Sequence, residues 1–144
     1  DEAVTITDPA LASQVNTIAK ATKGIVTATV AANTADVLVA NLKDASATDK
    51  LTLEVNGASA KAADLNALDL KTSEDIDVGA TNVTGNIADL TKLYITNADN
   101  FTASLGDETV EISGTVTAAQ ADSIADKTTA AVTANIAAAT FAAC

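Results

Sequence analysis

Three carboxylates, Glu54, Asp77 and Glu111, stand at like positions in three short alternating runs. The runs are Leu51-Thr52-Leu53-Glu54-Val55, Asp75-Ile76-Asp77-Val78 and Thr109-Val110-Glu111-Ile112. On successive strands about 4.8 Å apart, such side chains would form a ladder of oxygens. Like charges opposite one another repel. A hard cation such as Ca²⁺ takes oxygen ligands and would relieve that repulsion. The three residues are therefore candidate calcium ligands, and calcium is the only cofactor the residues suggest. The competing reading is that these are solvated acids on an acidic protein, their long side chains splayed apart.

Catalysis finds less support. The chain has no His, which removes histidine-based triads, Cys–His dyads and imidazole metal sites. Its single Cys is Cys144, the last residue given, so no internal disulfide can form, although such a thiol can pair between chains. No dinucleotide, Walker or nucleophile-elbow pattern occurs. Two acids can suffice for glycoside hydrolysis. The only aromatic residues, Tyr94, Phe101 and Phe141, are too few to line a substrate cleft. The chain is expected not to be an enzyme.

Two further surface features carry weaker signals. Thr5-x-Thr7 and Thr27-x-Thr29 would point outward on adjacent strands, but the array breaks at Glu54 and Asp77, and Thr has high strand propensity in any case. Asn82-Val83-Thr84 and Asn100-Phe101-Thr102 match the glycosylation sequon, which a chain rich in Asn and Thr meets by chance; no glycosylation is assigned.

The elements that must position these residues repeat. Six β-branched runs can be aligned, beginning near Val4, Ile25, Leu51, Asp75, Thr109 and Val132, and five of them alternate apolar with polar. Alternation is the mark of a strand with one buried face. Between them lie stripes at helical spacing: Leu11, Val15 and Ile18; Ala35, Leu38, Val39 and Leu42; Ala62, Leu65 and Leu68; Ile87, Leu90, Leu93 and Tyr94; Ala118, Ala121, Ile124 and Ala125. Asp8-Pro9 reads as the opening of the first helix, with Thr34, Ser59 and Thr117 as caps of later ones. Gly24 reads as the close of the first unit.

The reading divides residues 1–144, as one domain, into units at about 3–24, 25–50, 51–75, 76–108 and 109–131, with a partial unit at 132–144. The irregular step is an insert at 96–108, expected to be a loop pinned by Phe101 and Leu105. With Tyr94 it is the best candidate contact region for a partner. Units three and five share a phrase, Ala62-Ala63-Asp64-Leu65-Asn66-Ala67-Leu68 against Ala118-Ala119-Gln120-Ala121-Asp122-Ser123-Ile124, which suggests a module of two units.

Strand–helix–strand units of this length imply parallel strands with right-handed crossovers. The expected fold is α/β: a single-layer parallel sheet wound as a solenoid of about five strand–helix repeats, with helices on one side, as in leucine-rich repeats. The alternative is a doubly wound α/β sheet. That fold buries both sheet faces and gives continuous apolar runs, whereas Thr5, Thr7, Thr52, Glu54, Asp77, Glu111, Thr133 and Asn135 keep one face polar. A core of Ala, Val, Ile and Leu with almost no aromatics suits thin stacked layers.

The phrases Val116-Thr117-Ala118-Ala119-Gln120-Ala121-Asp122-Ser123-Ile124, Ala63-Asp64-Leu65-Asn66-Ala67-Leu68-Asp69 and Thr84-Gly85-Asn86-Ile87-Ala88-Asp89-Leu90 resemble the Ala/Thr/Asp-rich repeats of very large secreted or surface proteins of cyanobacteria. Some of those proteins also carry haemolysin-type calcium-binding repeats. This chain lacks the Gly-Gly-x-Gly-x-Asp nonapeptide, so none of its residues inherits that role. The resemblance implies an extracellular or cell-surface location and a structural or adhesive part.

Charge narrows the partners. A net charge of −11 argues against nucleic acid and anionic lipid. No apolar run is long enough to insert in a membrane. No signal peptide is visible, and with no Met the chain reads as an excised piece, so a targeting signal would lie outside it. The expected role is a structural or spacer module of a large extracellular protein. The alternative is an adhesion or ligand-binding module that presents its sheet face to a protein or glycan, with calcium assisting. The run 137–141 looks like a helix cut short, and an uncapped end predicts end-to-end self-association.

Overall fold

The computed structural model describes residues 1–102 and 104–139. It is an α/β protein with parallel strands throughout its described sheets. The order is β1 (Val4–Thr5), α1 (Ala12–Ala21), β2 (Val26–Thr29), α2 (Ala35–Asn41), β3 (Lys50–Thr52), β4 (Glu54–Val55), β5 (Ala60–Lys61), α3 (Ala62–Leu68), β6 (Asp77–Val78), β7 (Asn82–Asn86), α4 (Ile87–Thr91), β8 (Thr109–Val116), α5 (Ala118–Ala125) and β9 (Val132–Ile136). A π-helical turn, Lys92–Thr96, prolongs α4.

The strands form three sheets, ordered β1-β2-β3, β4-β6 and β5-β7-β8-β9, rather than the single layer expected. The break has a local cause. The run 51–55 divides between β3 and β4, which take β2 and β6 as their respective partners. Just beyond it, Gly57 at φ +105° bends the chain before β5. That positive φ is a conformation in which Gly is at home.

Register is regular except for a bulge in β8, where the pairing with β9 shifts between Ile112 and Thr115. Val4 pairs with Val26, Thr27 with Lys50, Val55 with Val78 and Val83 with Val110. Bridges join Ala10 to Val30, Asn33 to Val55 and Ile76 to Phe101. Inward positions are apolar: Val26, Ala28, Leu51, Leu53, Val55, Ile76, Val78, Val83, Val110 and Ile112 are buried. Outward positions are Thr, Lys, Glu, Asp and Asn, as alternation requires. Successive helices pack on one another from α1 to α5, contributing Val15, Leu38, Leu65, Leu90 and Ile124 to the same core. Gly85 lets β7 lie close under α3, since a Cβ there would meet the Ala62 Cβ at 2.9 Å.

Several local expectations are corrected. Helix α1 begins at Ala12, not at Pro9. Residues 6–10 run non-helically along β2, with a bend at Asp8, because the Ile6 and Ala10 N–H groups donate to Thr27 and Thr29 carbonyls, at 2.9 and 3.0 Å. Ser59 caps no helix; β5 lies between it and α3. Thr117 does cap α5, in a capping box with Gln120. Strands β5 and β7 lie where no strand was expected. The insert contains a 3-10 turn, Ala98–Asn100, and Phe101 is buried on a strand bridge to Ile76.

Candidate functional site

The proposed carboxylate ladder is only partly assembled. Glu54 and Asp77 are register partners on β4 and β6, and both are exposed. Glu111 lies in another sheet, on β8, between Thr84 and Thr133. The irregular step after β6 separates it from Asp77. No group of three or more acidic or sulfur ligands converges among the described residues.

Asp77 has protein donors of its own. Its Oδ1 accepts from the Ser104 hydroxyl at 2.6 Å and from the Thr102 hydroxyl at 3.1 Å. The Ser104 Oγ in turn accepts the Val78 N–H at 3.0 Å. The insert is thereby fastened to the strand that carries Asp77. Hydrogen bonds to the charged carboxylate do here part of what a cation would do.

A second, buried cluster holds the other end of the insert. Glu108 is 2% exposed and Tyr94 3% exposed. The Tyr94 hydroxyl donates to Glu108 Oε1, and the Gly106 N–H donates to Oε2 at 2.9 Å. Burial, and then the hydrogen bond to Glu108, push the phenol well above its ordinary range. Tyr94 and Phe101, read from sequence as candidate contact residues, are both interior. The sequence reading had singled out Tyr94 but not its partner. Glu108 follows Asp107 in an acidic run, and nothing local marks one of the two as buried.

The outward rows are the remaining surface. Lys61, Thr84, Glu111 and Thr133 stand in one row across β5, β7, β8 and β9. Thr5 faces Thr27, and Thr29 faces Thr52, but Thr7 lies past the end of β1, so of the expected Thr5-x-Thr7 and Thr27-x-Thr29 array only the first rung is paired. Asn82 is half-buried; it donates to the Ser59 Oγ at 3.3 Å and accepts from the Thr109 hydroxyl at 2.9 Å. The concavities are shallow. One, of about 290 Å³, is lined by Asp36, Ser59, Lys61, Asp64 and Thr84 among others. Asp36 there is held below the usual carboxylate range, first by its hydrogen bond from Thr34. Phe141 and Cys144 lie outside the described residues.

One recurring device was missed in the sequence. The Thr22, Thr72 and Thr128 hydroxyls each accept the N–H two residues on, from Gly24, Glu74 and Ala130 at 3.0, 3.1 and 3.1 Å. Each also donates to a carbonyl one turn back, of Glu2, Leu51 and Glu108 at 2.6, 2.8 and 2.7 Å. In the second unit Asp49 makes the backward bond, accepting the Val26 N–H at 2.8 Å. The signal was present as Lys20-Ala21-Thr22, Lys71-Thr72 and Lys127-Thr128, a basic residue and a Thr just before each strand.

No helix among the described residues is long and apolar enough to cross a membrane. The chain matches no family model, no curated protein and no solved structure in the comparisons made.

Proposed function

We propose that this chain is a spacer: a non-catalytic solenoid module of a large extracellular or cell-surface protein. The observation that carries the reading is the order of pairing. Every paired residue meets its counterpart 20 to 27 positions away, from Ala10 against Val30 to Asn82 against Thr109. Each unit therefore rests on its sequence neighbours, which is how a repeat stack grows to any length. The Thr hydroxyl bonds each span 20 or 21 positions, within the same range. The resemblance to Ala/Thr/Asp-rich cyanobacterial surface repeats supports the location. Stacked units also leave a strand at each end of the order, β1 and β9, and end-to-end association of copies is part of the proposal.

The second reading is adhesion through the exposed sheet face. The Lys61–Thr84–Glu111–Thr133 row favours it, because it sets both charges and two hydroxyls on one line. The experiment is a glycan array and a calcium titration of the purified chain, beside a variant with those four residues changed to Ser. The spacer reading expects the two proteins to behave alike. Binding to a glycan or to calcium by the wild type that the variant loses would replace it with the adhesion reading.

A further inference from the structure

We propose that Asn56 is a site of spontaneous chemical modification, converting to isoaspartate and aspartate in the folded protein. Of all the asparagines, only Asn56 is followed by Gly. The reaction is attack by the backbone nitrogen of the following residue on the asparagine side-chain carbonyl. A side chain on that residue obstructs the approach, and Gly has none.

The structure leaves both reacting groups accessible. Asn56 and Gly57 are exposed at the bend between β4 and β5. The Asn56 side chain makes no hydrogen bond among the described residues, and neither does the Gly57 N–H. By contrast Asn82, Asn66, Asn16, Asn86 and Asn97 each hold a side-chain hydrogen bond. The Asn56 N–H donates to the Asn33 carbonyl at 3.0 Å, which fixes the chain on one side of the reacting pair, while on the other side stands Gly57, at φ +105° and without a side chain.

The step balances as follows. The Gly57 nitrogen bonds to the Asn56 Cγ, the Cγ–Nδ2 bond breaks, and the amide proton leaves with the nitrogen as ammonia. Water then opens the five-membered imide at either carbonyl. One opening gives aspartate; the other gives isoaspartate, with the main chain routed through the side-chain carbons. The net change is water in and ammonia out, with one negative charge gained. The isoaspartyl product carries an extra methylene in the backbone at a turn whose neighbours are tied to Asn33 and to the Gly79 N–H.

The test is to age the folded chain at mildly alkaline pH and follow each asparagine by peptide mass spectrometry, with electron-based fragmentation to tell the isomers apart. The expected result is a mass gain of O for NH at Asn56 ahead of every other asparagine, with isoaspartate among the products. An Asn56→Gln variant is expected to lose that first conversion while keeping its melting temperature. If another asparagine converts first, or if Asn56 converts only in denaturant, the proposal is wrong.

Discussion

Tyr94 and Glu108 show how far a single buried contact can govern behaviour. The phenol is raised, so the folded chain holds that proton more tightly than the unfolded chain does. The stability this adds is complete below the unfolded phenol's value of about 10 and is lost as pH rises above it. The melting temperature of the wild type should therefore fall on alkaline titration more steeply than that of Tyr94→Phe. At neutral pH the same variant should cost about 1–3 kcal/mol, because Glu108 stays buried with one donor fewer. A flat alkaline profile in the wild type would contradict the buried pairing. A second prediction concerns Thr72, which is 5% exposed and bonds to the Leu51 N–H, the Leu51 carbonyl and the Glu74 N–H. Thr72→Val should cost about 1–3 kcal/mol by urea denaturation, since it strands buried backbone groups. For the Glu54–Asp77 pair, the Ser104 and Thr102 hydroxyls already serve Asp77, so calcium is expected to leave the melting temperature unchanged. A rise that grows with calcium concentration would restore the metal reading.

At the scale of elements, the packing of helices on the strands and on one another sets the tolerances. Gly85→Ala should cost about 1–3 kcal/mol through overpacking against Ala62 and Leu90. Leu65→Ala, at a fully buried position of α3, should cost about 2–5 kcal/mol. Chemical denaturation of the two variants checks both. What the sequence made legible follows the same logic. Strand β9 was readable from Val132-Thr133-Ala134-Asn135-Ile136 because strict alternation has one simple solution. Helix α5 was readable because Thr117 and Gln120 cap it locally. Strand β7 was not, since Asn82, Gly85 and Asn86 disfavour a strand and only pairing with β8 imposes one. The start of α1 was misread because Asp8-Pro9 is a sound local opening, overruled by backbone bonds to Thr27 and Thr29. Of the candidate ladder, Glu54 and Asp77 stand side by side because their strands are neighbours. Glu111 was misplaced because the insert shifts it to a different sheet, which no alternation pattern encodes.

For the whole molecule, the central claim is stacking in sequence order. The doubly wound alternative shares the same strands and helices and differs in which strands touch. Paired cysteines distinguish the two, in a background where Cys144 is replaced by Ser. Strand partners in register have Cα atoms close enough for a disulfide. The account predicts that Cys pairs at Thr5 and Thr27, Thr29 and Thr52, Lys61 and Thr84, and Glu111 and Thr133 close under mild oxidation without loss of the native circular dichroism. Failure of these pairs to close, with closure instead of a skipped pair such as Thr27 and Thr84, would contradict it.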